Sequence, residues 1–396
     1  MSTEATDTDP SRVLAVLQAC QNNDIAMVQQ SVAQHPLYAV QQDDATGRSP
    51  LMMAAGAGHM ELCEYLLQEG APWNAVDRQG LCAGDYATNA EHWSIVNLLV
   101  DWGVRAELIL GAVERHKRTA ADSVILPSNP TGSLEFEPST KPHYLRQTLH
   151  YTADGKTLLD QDQDAVMMEW ERPIMQAHAQ IMMEDGRRRV LNVGFGLGII
   201  DTALQEQNPV HHIIIEAHPD VYKRMLAEGW DKRPNVRICF GRWQEALPQL
   251  IREGVVVDAV FYDTYGEHYL DLEDFHAQMV QILSKPNGIY SFFNGLAPDN
   301  LFFHGVACQC VQLQLGQLGL DSEFIPCQIQ APQNDVWEGI RRKYWHGRDV
   351  YYLPRCTWNA QFLQTGAVPQ NEMLADDRKN RVVHEAIAES KRQKVA

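Results

Sequence analysis

The 396-residue chain reads as an α/β protein in which a doubly wound, Rossmann-like domain follows a small all-α repeat module. Three observations predict this. Residues 189–201 (Arg-Val-Leu-Asn-Val-Gly-Phe-Gly-Leu-Gly-Ile-Ile-Asp) run apolar, pass three glycines and turn apolar again, the pattern of strand, tight loop and helix. A second apolar run, 211–216, ends in Glu216, 22 positions after Gly194, where an acid in such a sheet reaches ribose hydroxyls. Ahead of both, landmarks recur 33 positions apart: Gly47 and Gly80, His59 and His92, Leu66 and Leu99, Gly70 and Gly103.

Composition bounds the function classes. The length predicts two or three domains, and 45% hydrophobic with 21% charged residues is the balance of a globular chain in water. No apolar run is long enough to span a bilayer, and the polar, acidic start does not have the pattern of a secretory leader, so no membrane partner is expected. Eight cysteines are scattered without a Cys-x-x-Cys pair, and Cys308-Gln309-Cys310 is too tight for zinc, so reduced buried thiols and no metal are expected. A net charge of −18 disfavours direct nucleic-acid binding and suits a basic partner or substrate.

Taken in order, residues 1–10 read as disordered and 11–35 as a capping helix pair. The 33-residue period is that of ankyrin repeats, so 11–106 is read as an ankyrin-repeat module. Its clear copy has a turn and first helix over 44–55, then a second helix from Gly58-His59 to Leu67 that stops at Gly70; the next copy is eroded at Cys82-Ala83-Gly84. His59 and His92 are expected to pack at helix starts, not to bind metal. Stacked repeats leave an outer surface free, which serves either a further protein partner or bare shielding of the second domain. Residues 107–140 read as a linker, with Arg115-His116-Lys117-Arg118 as a solvated helix end and Pro127, Pro130 and Pro138 beyond it.

Residues 141–360 form the expected second domain. Tyr144 to Tyr151 alternates as a strand and Asp154-Gly155 suits a hairpin turn. Pro173 then suits the first turn of a helix, before which Glu171 is either an N-terminal cap or functional, with Met167 and Trp170 as core residues. Further strands are expected at 236–240, 255–262, 289–293, 324–329 and 349–353. Asp263-Thr264-Tyr265-Gly266-Glu267 follows one of them, at the strand end where open α/β sheets bind ligands. His268 reads as a surface or helix-start residue, Arg341-Arg342-Lys343 as a solvated loop, and 361–396 as a charged tail. The loop Gly194-x-Gly196-x-Gly198 has Ile199 where a dinucleotide fingerprint wants a small residue, so it suits S-adenosylmethionine, which has no pyrophosphate, better than NAD.

Val166-Met167, Trp170-Glu171, Pro173 and Met175 resemble the Val-Met-x-x-Trp-Glu-x-Pro-x-Met motif of guanidinoacetate methyltransferase. The resemblance continues through residues 191–196, Ile215-Glu216, 261–265 and Tyr351-Tyr352-Leu353-Pro354, covering about 144 to 360. With a repeat module in front, Asn192 in the first strand and Glu216-Ala217-His218 after the second, the chain resembles the fungal protein-arginine delta-N-methyltransferases. That resemblance implies S-adenosylmethionine held by Tyr144, Tyr151, Met167, Gly194, Phe195, Gly196, Leu197, Gly198, Ile199, Glu216, Ala217, His218, Trp243, Gln244 and Asp263, with Trp243 as a flat lid on the adenine. It also implies that Glu171 and Asp263 hold a guanidinium, and that the substrate is a ribosomal-protein arginine in cytoplasm or nucleus. The chemistry suits the residue types, because a carboxylate grips the forked cation through two parallel hydrogen bonds and two carboxylates fix its rotation. A small guanidino metabolite, or an interaction protein whose second domain is not catalytic, are the alternative readings.

Overall fold

The computed structural model describes residues 9–122, 140–141, 143–186, 188–267, 269–345 and 348–367. The expectations for residues 1–8, for the prolines of 123–139, for His268 and for the tail beyond 367 lie outside the described residues. The chain divides into two units, one of 1–113 with 296–310, the other of 114–295 with 311–371.

In the first unit, α1 (Pro10–Gln21) and α2 (Ile25–Gln34) form the expected helix pair. Two repeats follow as α3 (Pro50–Ala57) with α4 (Met60–Gln68), and α5 (Ala83–Asn89) with α6, which starts at Trp93. Ser49 caps α3 by accepting from Met52 N–H at 3.2 Å, worth about 1 kcal/mol. Both recurring histidines join neighbouring repeats. His59 Nε2 donates to the Gln21 carbonyl at 3.0 Å, and the His92 ring fills the space where a Cβ on Gly58 would stand at 2.7 Å. The repeat turns are also stitched, Arg78 N–H donating to Thr46 O at 3.0 Å.

Erosion of the second copy has a physical cause that lies about 200 residues downstream. Phe302 sits so close to Gly84 that an added Cβ would meet its ring at 2.2 Å, Trp73 packs against Phe302 and Phe303, and Asn300 donates to Asp85 at 2.6 Å. Gly84 is therefore a packing glycine for residues 296–310, which belong to this unit and not, as expected, wholly to the second domain. The expected linker also begins later, because α6 (Trp93–Asp122) continues through 107–122. Arg115 to Lys117 on it are exposed, as expected, and Arg115 also pairs with Glu273.

The second unit opens with a small antiparallel sheet of β1 (His150–Tyr151), β2 (Thr157–Leu159) and β3 (Ala165–Met168), with the hairpin turn at Asp154-Gly155 as expected. Residues 144–146 are a 3-10 turn, so the expected strand shrinks to its last two residues. α7 (Arg172–Met183) starts with proline in its first turn. The main sheet is then wound from β4 (Arg189–Val193), α8 (Ile199–Glu206), β5 (His211–Glu216), α9 (Pro219–Ala227), β6 (Val236–Phe240), α10 (Trp243–Arg252), β7 (Ala259–Tyr262), α11 (Tyr269–Met279) and β8 (Ile289–Phe292). α12 (Leu301–Gln317), β9 (Leu320–Gln328), β10 (Val350–Trp358) and α13 (Ala360–Thr365) complete the described chain.

Strand order is β6-β5-β4-β7-β8-β10-β9, parallel through β8, with β10 antiparallel to both neighbours. The central strands β7 and β8 are buried along their whole length because both faces are covered. Strand order reverses at β4, with β5 on one side and β7 on the other, so their carboxyl ends flank a crevice. Asn192 at the end of β4 is buried, donates to both oxygens of Asp201 at 2.9 Å and to Gly194 O at 2.8 Å, and so ties the loop to α8.

Candidate active site

Three chain segments meet at the carboxyl ends of β4, β5 and β7. The glycine loop after β4 is shaped by its protein neighbours. A Cβ on Gly194 (φ +95°) would stand 1.8 Å from the Asp263 carbonyl oxygen, and one on Gly196 would meet Met167 Sδ at 2.7 Å. Met167 also receives the Leu197 N–H on its sulfur at 3.2 Å. Phe195 and Ile199 are buried core side chains, Phe195 lying edge-on to Trp230. The expected cofactor set thus contributes mainly backbone from this loop.

Glu216 closes the same loop from β5. Its carboxylate is buried, accepts from Phe195 N–H at 2.9 Å and His218 N–H at 2.6 Å, and is pushed upward in pKa by burial against the opposing pull of these bonds. His218 is fully buried with both ring nitrogens engaged. Nδ1 accepts from Asp220 N–H at 3.1 Å, and Nε2 donates to Tyr144 O at 3.1 Å. His218 therefore anchors Tyr144, whose ring lies 4.9 Å from those of His218 and Tyr265. Ala217 lies between these two clamped residues, and Tyr151 packs under the Arg224 guanidinium at 4.1 Å.

Trp243 differs from the expected flat lid. It is 3% exposed, lies edge-on to Phe275 at 5.3 Å, and is a core side chain at the start of α10. Its indole N–H donates to Glu267, a residue whose importance the sequence did not reveal. Glu267 also accepts from Arg242 at 3.0 Å, Gln244 Nε2 at 2.9 Å, Thr264 Oγ1 at 2.8 Å and the Tyr262 hydroxyl. One buried carboxylate thus binds the loop after β6 to the end of β7. Glu267→Gln places an N–H₂ among donors, and it is expected to lower the melting temperature and weaken S-adenosylmethionine binding about tenfold. A thermal melt and a calorimetric titration check this, and unchanged values in both would remove the role.

The groups on this side fit S-adenosylmethionine. Gln244 Nε2 is committed to Glu267, which leaves its buried Oε1 as an acceptor without a partner, suited to an exocyclic amine such as that of adenine. Glu216 stands at the end of β5, the position at which an acid meets ribose hydroxyls in such sheets.

Across the crevice stand the two acids. Asp263 follows β7, its N–H bound to Val193 O at 2.9 Å, and its carboxylate takes no hydrogen bond from the described residues. Glu171 precedes α7 but does not cap it. Its Oε1 turns back to accept Met168 N–H at 2.9 Å and the Tyr344 hydroxyl at 2.6 Å, while Oε2 takes no donor among the described residues. Glu171 is only 4% exposed, and no cation pairs with either acid among the described residues. Burial and the neighbouring Asp263 push Glu171 up to about 8, and burial pushes Asp263 up to about 7. A pair of uncompensated carboxylates is a receptor for a planar cation.

Tyr344 was invisible in the sequence because Arg341-Arg342-Lys343 read as a solvated loop. Arg341 and Arg342 are exposed, as expected, yet Arg341 Nε donates to Asp164 at 3.0 Å and Tyr344 turns in among Trp170 and Trp337, with ring centroids 5.8 and 5.0 Å away. Beneath Asp263, Ser291 Oγ donates to Pro354 O, so it accepts from His178 Nδ1 and leaves Nε2 to accept the Tyr351 hydroxyl at 2.9 Å. Burial holds His178 down at about 3, so this chain is neutral and structural. Among the described residues no group of histidine, cysteine and acid side chains could hold a metal.

Comparison with known proteins agrees with this architecture. The family model for guanidinoacetate N-methyltransferase matches residues 139–303, and that for ankyrin repeats in three copies matches 16–108. The protein arginine N-methyltransferase 2 of Aspergillus oryzae is 36% identical over 319 residues, covering 74% of this chain and 77% of its own. Its namesake from Saccharomyces cerevisiae is 31% identical over 329 residues, 76% and 78% of the two chains. That of Yarrowia lipolytica is 43% identical over 224 residues, 54% and 47%. With an ankyrin-repeat N-terminus and a mostly parallel methyltransferase-like sheet behind it, the chain belongs to the protein arginine N-methyltransferase 2 family.

Proposed function

We propose that the protein transfers a methyl group from S-adenosylmethionine to the internal (delta) guanidino nitrogen of an arginine in a protein substrate. The observation that carries this reading is the pair Glu171 and Asp263, two neighbouring acids that no cation among the described residues pairs with, both held above their ordinary pKa. Bound S-adenosylmethionine supplies an electrophilic methyl on its sulfonium; Tyr144, the glycine loop, Glu216 and Gln244 are the residues that would hold it. Glu171 and Asp263 grip the guanidinium, fix its rotation and aim one nitrogen. Arginine remains protonated in water, so the proton lost on methylation needs an acceptor, and a carboxylate with a pKa near 7 or 8 is suited to take it.

A protein substrate is favoured over a free metabolite by the ankyrin unit, which offers a docking surface that a small molecule does not need. The relatives' printed name points the same way. A ribosomal protein, met in the cytoplasm or nucleus, is the substrate class the family resemblance suggests, and the net charge of −18 suits so basic a partner. The test is methylation of a fungal extract with labelled cofactor, followed by amino-acid analysis. Label in delta-N-monomethylarginine of protein is the expected result. Label in terminal-nitrogen methylarginine would overturn the delta assignment, and label in a free guanidino compound would move the substrate to the metabolite class.

A further inference from the structure

The turn over residues 160–164 is built more heavily than a connection between β2 and β3 requires. Asp160 is fully buried and its Oδ1 accepts the N–H groups of Asp162 and Asp164, both at 2.9 Å. Its Oδ2 accepts Lys141 Nζ at 2.9 Å and the Tyr265 hydroxyl at 3.0 Å. Asp164 takes Lys141 at 2.6 Å and the Nε and Nη2 groups along one edge of the Arg341 guanidinium, and Arg341 N–H donates to Gln163 O at 2.8 Å. One turn therefore grips two loops. The first is the loop after β7, which begins with Asp263 and contains Tyr265. The second is the loop that carries Arg341 and, three residues on, Tyr344.

Tyr344 is where this brace meets the chemistry. Its hydroxyl and the Met168 N–H both bind Glu171 Oε1, which commits that oxygen and leaves Oε2 as the open acceptor. We propose that Tyr344 is a positioning residue of the arginine site, and that the Arg341–Asp164 pair acts through it by holding its loop against the 160–164 turn. This rests on the reading that Glu171 binds the substrate guanidinium. Arg341 gives one edge of its guanidinium, Nε and Nη2, to Asp164, and its backbone N–H to the same turn, which ties the loop down at two points. The charged and titratable groups facing Glu171 are Asp263 from the β7 end, which raises its pKa, Tyr344 from the loop, whose hydrogen bond lowers it, and Tyr351 of β10. Asp263 in turn faces Tyr351 of β10 and Tyr344.

The experiment is the pH profile of kcat/KM with an arginine-containing protein substrate for the wild type, Tyr344→Phe, Arg341→Ala and the double variant. Tyr344→Phe keeps the ring and loses the donor, so kcat/KM at neutral pH should fall roughly tenfold. Its ascending limb should move to higher pH, and S-adenosylmethionine affinity should not change. Arg341→Ala leaves every group that touches Glu171 in place; it should lose about threefold, move the limb in the same direction, and be partly rescued by Arg341→Lys. The double variant should be no worse than Tyr344→Phe, because the two residues act in series. An unmoved limb in Tyr344→Phe, or additive losses in the double variant, would overturn the proposal. Retained cofactor binding reports that each variant is folded. Full activity in Glu171→Gln would instead strike the arginine-site reading itself, which separates the two failures.

Discussion

Glu171→Gln is expected to remove turnover and at the same time to make the free protein more heat-stable. Turnover goes because an amide offers neither the charge nor the second acceptor that the guanidinium needs; losing one partner of a buried charge pair costs roughly a hundredfold to a thousandfold. Stability rises for the opposite reason. Glu171 is pushed up to about 8 and Asp263 to about 7, above the ordinary 4.5 and 3.8. A folded pKa above the unfolded one favours folding fully below the unfolded pKa, and the benefit is lost as pH rises through the folded value. Between pH 5 and 8 the native protein thus loses stability that an amide at position 171 does not lose. The variant's melting temperature should exceed the wild type's, and by more at pH 8.5 than at pH 6. Asp263→Asn should behave alike. The same titration predicts that wild-type kcat/KM climbs between pH 6 and 9, in two overlapping steps that belong to the pair. The kcat limb should lie lower, because a bound guanidinium favours both ionised carboxylates. Melting curves and a pH–rate series decide it. A variant with normal turnover, or one less stable at pH 8.5 than the wild type, would contradict the dicarboxylate site.

What the sequence makes legible here is whatever is local and periodic. Strands at 211–216, 236–240 and 289–292 and the repeat helices follow from apolar spacing and turn residues, and they appear where that spacing puts them. Glu171 and Asp263 could be picked out because they sit inside short segments with a recognisable order. Glu267, Asp160 and Tyr344 could not, because their roles come from partners far along the chain. Tyr344 meets Glu171 across 173 residues and Tyr265 meets Asp160 across 105. Gly84 looked like decay in a repeat, and only the approach of Phe302 shows it to be required. Trp243 is hard to read from sequence for a related reason. An indole beside a ligand loop suits stacking, yet a buried carboxylate in reach of its N–H draws it into the core. The long continuation of α6 through 107–122 was hidden by a basic cluster that reads as solvated, although Arg115 finds Glu273.

Gly194→Ala should be the most damaging single-methyl substitution in the site, and its effect should reach beyond the cofactor. The residue has φ +95°, outside the comfortable range of an L side chain, and its Cβ would lie 1.8 Å from the Asp263 carbonyl oxygen. Something must move, and the obstacle is backbone, not the end of a flexible side chain. Gly194 N–H is bound to Ile215 O at 2.9 Å and its carbonyl accepts from Asn192 at 2.8 Å, so the loop has little freedom to withdraw. Asp263 N–H is likewise bound to Val193 O, so displacing its carbonyl displaces the strand end that carries the substrate acid. Gly254 provides the control, since it has φ +71° with nothing within 4 Å of an added Cβ. Gly254→Ala should cost about 1 kcal/mol for backbone conformation alone. Gly194→Ala should cost several times that, through strain and clash together. S-adenosylmethionine binding and arginine turnover should both be lost, even at temperatures where the variant remains folded. If the two variants melt together and Gly194→Ala still binds cofactor normally, the close approach of β4 and β7 ends is not what demands glycine there. The loop would then owe its glycines to the ligand, as the sequence pattern alone suggests.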